Sequence, residues 1–212
     1  MEIRKFRELR KQNFPVVDVR EPELFAEGFI PGSLNIPLNV IENGWDELFL
    51  MKDMSLIITG EEKHRESALN IFQDKGFEEV KGFFADGFHQ WLQEGNDPDM
   101  VIRVTPEELK LDVKHDQDAR IIDIRPKDSF DYSHVQKAIN IPAEEIFSNW
   151  QELPLDKPNF IYGQDDASSM IIISWLKLQG RHNFYQVAGS IEELKKEDVP
   201  FSGSEEKNKS SR

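Results

Sequence analysis

No cysteine occurs in the 212 residues. Disulfides, thiolate metal sites and every mechanism in which a protein thiol attacks or carries a group are thereby excluded. No apolar run approaches the length of a membrane span, about 20 residues. Positive charge is scarce too: 26 lysines and arginines face 40 acids, leaving a net −14, with −9 in residues 1–100 and −5 in residues 101–212. A field of that sign repels phosphate backbones and anionic headgroups, so neither nucleic acid nor a membrane is an expected partner. Met1 to Arg10 alternates charged with apolar residues and lacks the apolar core of a signal peptide, which makes a cytoplasmic protein the expectation. The five histidines, at positions 64, 89, 115, 134 and 182, show no metal-ligand spacing, and no glycine-rich phosphate loop stands out. No metal and no cofactor is expected.

What is present is organised around Leu56 to Phe77. Leu56, Ile57 and Ile58 form a run too short for a helix, and Thr59 to Arg65 supplies polar loop residues. From Glu66 onward Ala68, Leu69, Ile71 and Phe72 recur at helical spacing, with Gly76 placed to end the helix in a left-handed conformation. A loop between a strand's carboxyl end and a helix's amino end aims backbone N–H groups at one spot and can hold an anion. Its first position, Thr59 or Gly60, is where such an arrangement would place a nucleophile.

Before it, Ile3, Phe6 and Leu9 give an amphipathic helix, Phe14 to Arg20 a strand, Glu23 to Ala26 a helical turn, and Gly28 to Pro37 a turn feeding a second strand. Asp46 to Leu50 reads as another helical turn. After it, Val80 to Phe84 reads as a strand, and a helix from Asp86 buries Trp91. Gly95-Asn96-Asp97-Pro98-Asp99 is rich in turn formers and marks a boundary between residues 98 and 99. The pattern then repeats. Asp18-Val19-Arg20 returns as Asp123-Ile124-Arg125, and Leu34-Asn35-Ile36-Pro37 as Ile139-Asn140-Ile141-Pro142, both at an offset of 105, while Gly76 returns as Gly180. A repeat of that size, with alternating strands and helices, means a duplicated α/β domain with a mainly parallel sheet. Thr105-Pro106-Glu107-Glu108 opens the second copy as a helix start. Residues 99–201 form that copy, and 202–212 read as a disordered polar tail.

At these residues the sequence resembles the rhodanese family in tandem: Asp18-x-Arg20 with Gly28-x-Ile30-Pro31-Gly32-Ser33-x-Asn35-Ile36-Pro37, then Val104-Thr105-Pro106-Glu107-Glu108-Leu109, Asp123-x-Arg125, His134 and Ala138 to Pro142. The resemblance implies an α/β fold of two tandem domains, each a mainly parallel sheet of about five strands flanked by helices on both faces. It also implies, for active relatives, transfer of sulfane sulfur through a cysteine at the start of the loop. Counting back 17 residues from Gly76 gives Thr59, and from Gly180 gives Gly163; a shift of one offers Gly60 or Gln164. No alignment restores a thiol.

The two degenerate loops are therefore the candidate sites. The first, Thr59, Gly60, Glu61, Glu62, Lys63, His64 and Arg65, balances acids against bases and is the better candidate for residual anion binding. The second, Gly163, Gln164, Asp165, Asp166, Ala167, Ser168 and Ser169, has two acids and no base. Asp18, Arg20, Asp123 and Arg125 read as structural ties at strand ends. The expectation is a non-catalytic module whose loops and interdomain cleft bind a partner protein or a small ligand. The alternative is an enzyme of hydrolase type using Thr59 activated by His64.

Overall fold

The structure is a computed structural model that describes residues 1–43, 55–77, 79–115 and 119–205. The helical turn expected over Asp46 to Leu50 lies outside the described residues. The chain divides into two units, Met1–Val101 and Ile102–Arg212, so the division falls three residues beyond the expected boundary at residue 98.

In the first unit α1 (Ile3–Lys11) buries Phe6 and is followed by β1 (Val16–Asp18), α2 (Pro22–Glu27), β2 (Ser33–Asn35) and α3 (Leu38–Glu42). Then come β3 (Leu56–Gly60), a 3-10 turn over Glu62–His64, α4 (Arg65–Asp74), β4 (Val80–Ala85) and α5 (Gly87–Gln93). Gly76 sits at φ +87°, the left-handed geometry anticipated after α4. The sheet order is β2-β1-β3-β4 and every pairing is parallel. Each crossover therefore runs through a helix, which covers a sheet face, and β3 is buried along its whole length. Phe6 stacks on Phe84 at 4.3 Å and meets Trp91 edge-on at 6.4 Å, closing the core under α1 and α5. Trp91 is half-buried rather than buried, because its indole N–H reaches out to the Asp97 carbonyl at 2.8 Å.

The second unit holds β5 (Arg103–Val104), α6 (Pro106–His115), β6 (Arg120–Asp123), α7 (Lys127–Tyr132), β7 (His134–Val135), β8 (Ile139–Asn140) and α8 (Ala143–Asn149). After these come β9 (Asn159–Tyr162), α9 (Asp166–Leu178), β10 (Phe184–Val187), α10 (Ile191–Lys196) and β11 (Phe201–Ser202). Its five-stranded sheet, β5-β10-β9-β6-β8, is again parallel. α6 starts as the sequence implies, with Thr105 Oγ1 accepting from Glu108 N (3.2 Å) and Glu108 Oε2 from Thr105 N (2.8 Å). Among the described residues the first sheet has four strands, not five. Where the second unit opens with β5, the first opens with α1, and the Met1 amino group donates to the Phe83 carbonyl on β4.

Ser202 to Glu205 departs from the disordered tail expected from residue 202. Phe201 and Ser202 pair antiparallel with Val135 and His134, and Lys195 bonds Glu205 at 2.7 Å. Charge and small size hid the fact that β7 offers these residues a free strand edge. The tail beyond Glu205 lies outside the described residues.

Candidate functional site

The two parallel sheets bring the degenerate loops to their strands' carboxyl ends. Strand register fixes which loop residues correspond. Asp18 on β1 pairs with Thr59 on β3, and Asp123 on β6 pairs with Tyr162 on β9. Val19 N donates to Thr59 O (2.9 Å) as Ile124 N donates to Tyr162 O (3.0 Å). Thr59 is thus the counterpart of Tyr162, and Gly60 that of Gly163. The count from the helix-ending glycines, which set Thr59 opposite Gly163, misses by one because the chain from this position to that glycine is one residue shorter in the first domain.

Both loops therefore begin with glycine, and in both the space for a side chain is already filled. A β-carbon on Gly60 would stand 2.7 Å from Val19 Cγ2. One on Gly163 would collide with Ser168 Oγ and lie 3.2 Å from two carbons of Ile124. Neither glycine has a left-handed φ, so it is the neighbouring side chains, not the backbone, that a β-carbon at either place would have to displace. Val19 and Ile124 are themselves corresponding residues, each the middle member of its Asp-x-Arg. The second loop adds Ser168.

Asp18 and Arg20 are committed to each other. Arg20 donates through Nε to Asp18 Oδ1 (2.9 Å) and through Nη2 to Oδ2 (2.7 Å), while Nη2 also reaches the Gly28 carbonyl (2.9 Å). Asn35 Nδ2 then ties the carbonyls of Asp18 (3.1 Å) and Arg20 (2.9 Å). The second domain repeats this bracket: Arg125 forks onto Asp123 and reaches the Ser133 carbonyl (2.7 Å), and Asn140 Nδ2 binds the carbonyls of Asp123 (3.0 Å) and Arg125 (2.8 Å). These brackets hold the strand ends under each loop.

The first loop borders a small cavity of about 120 Å³ lined by Arg20, Thr59, Gly60, Glu61, Asp86 and, from α5, Gly87 to His89. Thr59 is buried and its hydroxyl donates to the Phe84 carbonyl at 2.8 Å. His64 does not line this cavity and makes no recorded hydrogen bond to Thr59; its Nδ1 lies 3.7 Å from Glu61. The Thr59–His64 pair weighed from sequence is thus not assembled. The loop's cations are answered by its own acids: Lys63 meets Glu61 at 3.0 Å and Arg65 meets Glu62 at 2.7 Å. That Arg65 hydrogen bond also draws the Glu62 carboxyl below its ordinary range. Asp86, held in a left-handed conformation (φ +45°), turns Oδ1 toward Glu62 N at 3.4 Å. An incoming anion would meet Glu61 and Asp86, with the one lining guanidinium already paired.

The second loop is stitched shut from within. Asp165 caps α9 by accepting from Ser168 N (2.9 Å), and Ser168 Oγ accepts from Asp165 N (3.4 Å). Asp166 accepts from Arg103 (2.5 Å) and from Gly189 N (2.7 Å). Gln186 donates to the Asp166 carbonyl (2.8 Å) and to Ser169 Oγ (3.0 Å). The helix amide that would greet an anion already faces a carboxylate of the chain. Among the described residues no group of three histidine, aspartate or glutamate side chains is placed to hold a metal, and no helix is long and apolar enough to cross a membrane.

Sequence reasoning did not find the Val19 and Ile124 contacts, the role of Asp86, or Tyr162, whose buried hydroxyl accepts from Val135 N at 3.0 Å. A glycine in the same register of both copies, with a β-branched residue at the same place after each aspartate, was the available signal.

Fold and site together define a tandem of α/β domains, each with a strand–loop–helix cradle that begins with glycine and holds no cysteine. The Rhodanese-like domain family matches residues 3–94 and 105–197, and the chain belongs to that family. It is similar to the uncharacterized protein YqhL of Bacillus subtilis, 30% identical over 71 residues, a stretch covering 34% of this chain and 56% of that protein. The chain thus spans little more than half of that curated relative. Among solved structures, a rhodanese-like domain from Anabaena is 19% identical over 50% of this chain and 83% of its own (TM-score 0.46). A thiosulfate sulfurtransferase from Pseudomonas aeruginosa is 17% identical over 89% of this chain and 40% of its own (TM-score 0.42).

Proposed function

We propose that this chain is a non-catalytic member of its family, a binding module that recognises a partner protein or a small ligand. One observation carries the reading: the first loop position is glycine in both domains, overlaid by Val19 in one and by Ile124 with Ser168 in the other. A thiolate both attacks and stores sulfur in sulfur transfer, and a glycine offers nothing in its place. The charge balance supports the same reading, since Glu61 and Asp86 border the first cavity and Asp165 caps the second loop, which disfavours thiosulfate and phosphate. With a net charge of −14, nucleic acid and anionic membranes are not the proposed partners.

The purified chain, incubated with thiosulfate and cyanide, is expected to release thiocyanate no faster than a heat-denatured sample. Release well above that control, with no added thiol protein, contradicts the reading.

A further inference from the structure

Away from both loops, the second domain has a groove of about 390 Å³ between β5, α6 and β9. Ile102, Val104, Leu111 and Phe160 make it apolar. Ile102 and Leu111 are 56% and 53% exposed, so two large aliphatic side chains stand together in water at one place.

The rim of the same groove is acidic. Glu108 and Asp112 lie one helical turn apart on α6 and both line it. Glu108 is engaged with the backbone of Thr105. No hydrogen bond or ion pair is recorded for Asp112 among the described residues; burial first, and the charge of Glu108 second, lift its carboxyl above the ordinary range. The groove's own cation, Arg103, is turned toward Asp166. Uncovered apolar surface thus adjoins a carboxylate that has no counter-charge among the described residues.

We propose that this groove docks a partner segment presenting a lysine or arginine beside a leucine-sized side chain. The aliphatic side chain covers Ile102 and Leu111, and the cation lies against Asp112 with Glu108 behind it. A long basic side chain suits the place because its methylene stem lies on apolar surface while its head reaches the carboxylate. Charge complementarity selects this occupant, since an acidic segment would add a third like charge to the rim. The inference does not depend on the loops being inactive.

The test is an anisotropy titration of a fluorescein-labelled amphipathic peptide built from Leu-Lys-Lys-Leu blocks with the full chain. Asp112→Lys and Leu111→Ser are each expected to weaken binding about tenfold or more. Asp128→Lys, the same charge change on exposed α7, is expected to weaken it less than about twofold. The same peptide with Glu for Lys should not bind. Urea midpoints verify that each variant is folded, and Asp112→Asn serves as the milder substitution should Asp112→Lys unfold. Absence of binding by the Leu-Lys peptide, or equal losses for Asp112→Lys and Asp128→Lys, overturns the proposal. So does self-association of the chain that Asp112→Lys abolishes, since the occupant would then be a second copy.

Discussion

Arg125 holds Asp123 at both carboxylate oxygens, the shorter contact being 2.6 Å, with 7% and 0% of the two side chains exposed. Removing one member of a buried pair leaves the other charge uncompensated, a loss of about 3–5 kcal/mol. Asp123→Ala is therefore expected to lower the unfolding free energy by that amount in urea melts. The double variant Asp123→Ala/Arg125→Met should lose less than Asp123→Ala alone. A double variant at least as unstable would count against the pair as the source of the loss.

Tyr162 gives the fold an alkaline limit. Burial first, and the nearby charge of Asp123 second, raise its hydroxyl far above the ordinary tyrosine range. Above about pH 10 the unfolded chain sheds this proton while the folded chain keeps it, so stability falls as pH rises. Tyr162→Phe is expected to flatten that decline, at a loss near neutrality of about 1 kcal/mol for the hydrogen bond from Val135 N. Urea melts from pH 8 to 11 read both effects, and equal slopes for the two chains would refute the assignment.

The second loop is closed by its own cap. Asp165→Ala removes the acceptor for Ser168 N and should cost about 1 kcal/mol of stability. Amide exchange in the first turn of α9 should quicken with it. An unchanged exchange rate at Ser168 would mean that the capping box does not hold the loop.

Gly203 turns the chain after β11 at φ +127°, where a β-carbon would stand 2.5 Å from the Tyr132 carbonyl oxygen. Neither backbone can yield cheaply. Gly203→Ala is expected to detach Phe201 and Ser202 from β7, exposing the Gln136 amide that now bonds Pro200 O at 2.8 Å. Faster hydrogen exchange at Gln136 checks it, and unaltered protection there would argue that β11 stays in place.

Part of this was legible before any coordinates. Asp18 and Asp123, Arg20 and Arg125, and Asn35 and Asn140 repeat as identical residues at one offset, so the duplication showed itself where the brackets later appeared. Thr105 and Glu108 announced a helix start because a capping box is local chemistry. The pairing of the loops was not legible. In the sequence it rests on the glycines that end α4 and α9, and spacing along a loop and helix carries any length difference into its far end, whereas register between neighbouring strands does not. Closure by Val19 and Ile124 was hidden for the same reason: it joins residues about 40 positions apart in the chain through a sheet pairing that the sequence does not display.

The claim that the chain's own packing has taken the place of a nucleophile is tested most directly by a double-mutant cycle at Val19 and Gly60. Gly60→Ala is expected to destabilise the fold by about 1–3 kcal/mol through overpacking, and Val19→Ala by a similar amount through the void it leaves. Combined, the added methyl occupies the vacated space, so the double variant should be more stable than the sum of the two losses by about 1 kcal/mol or more. Losses that simply add would show that Val19 does not fill the position, and the account would fail there.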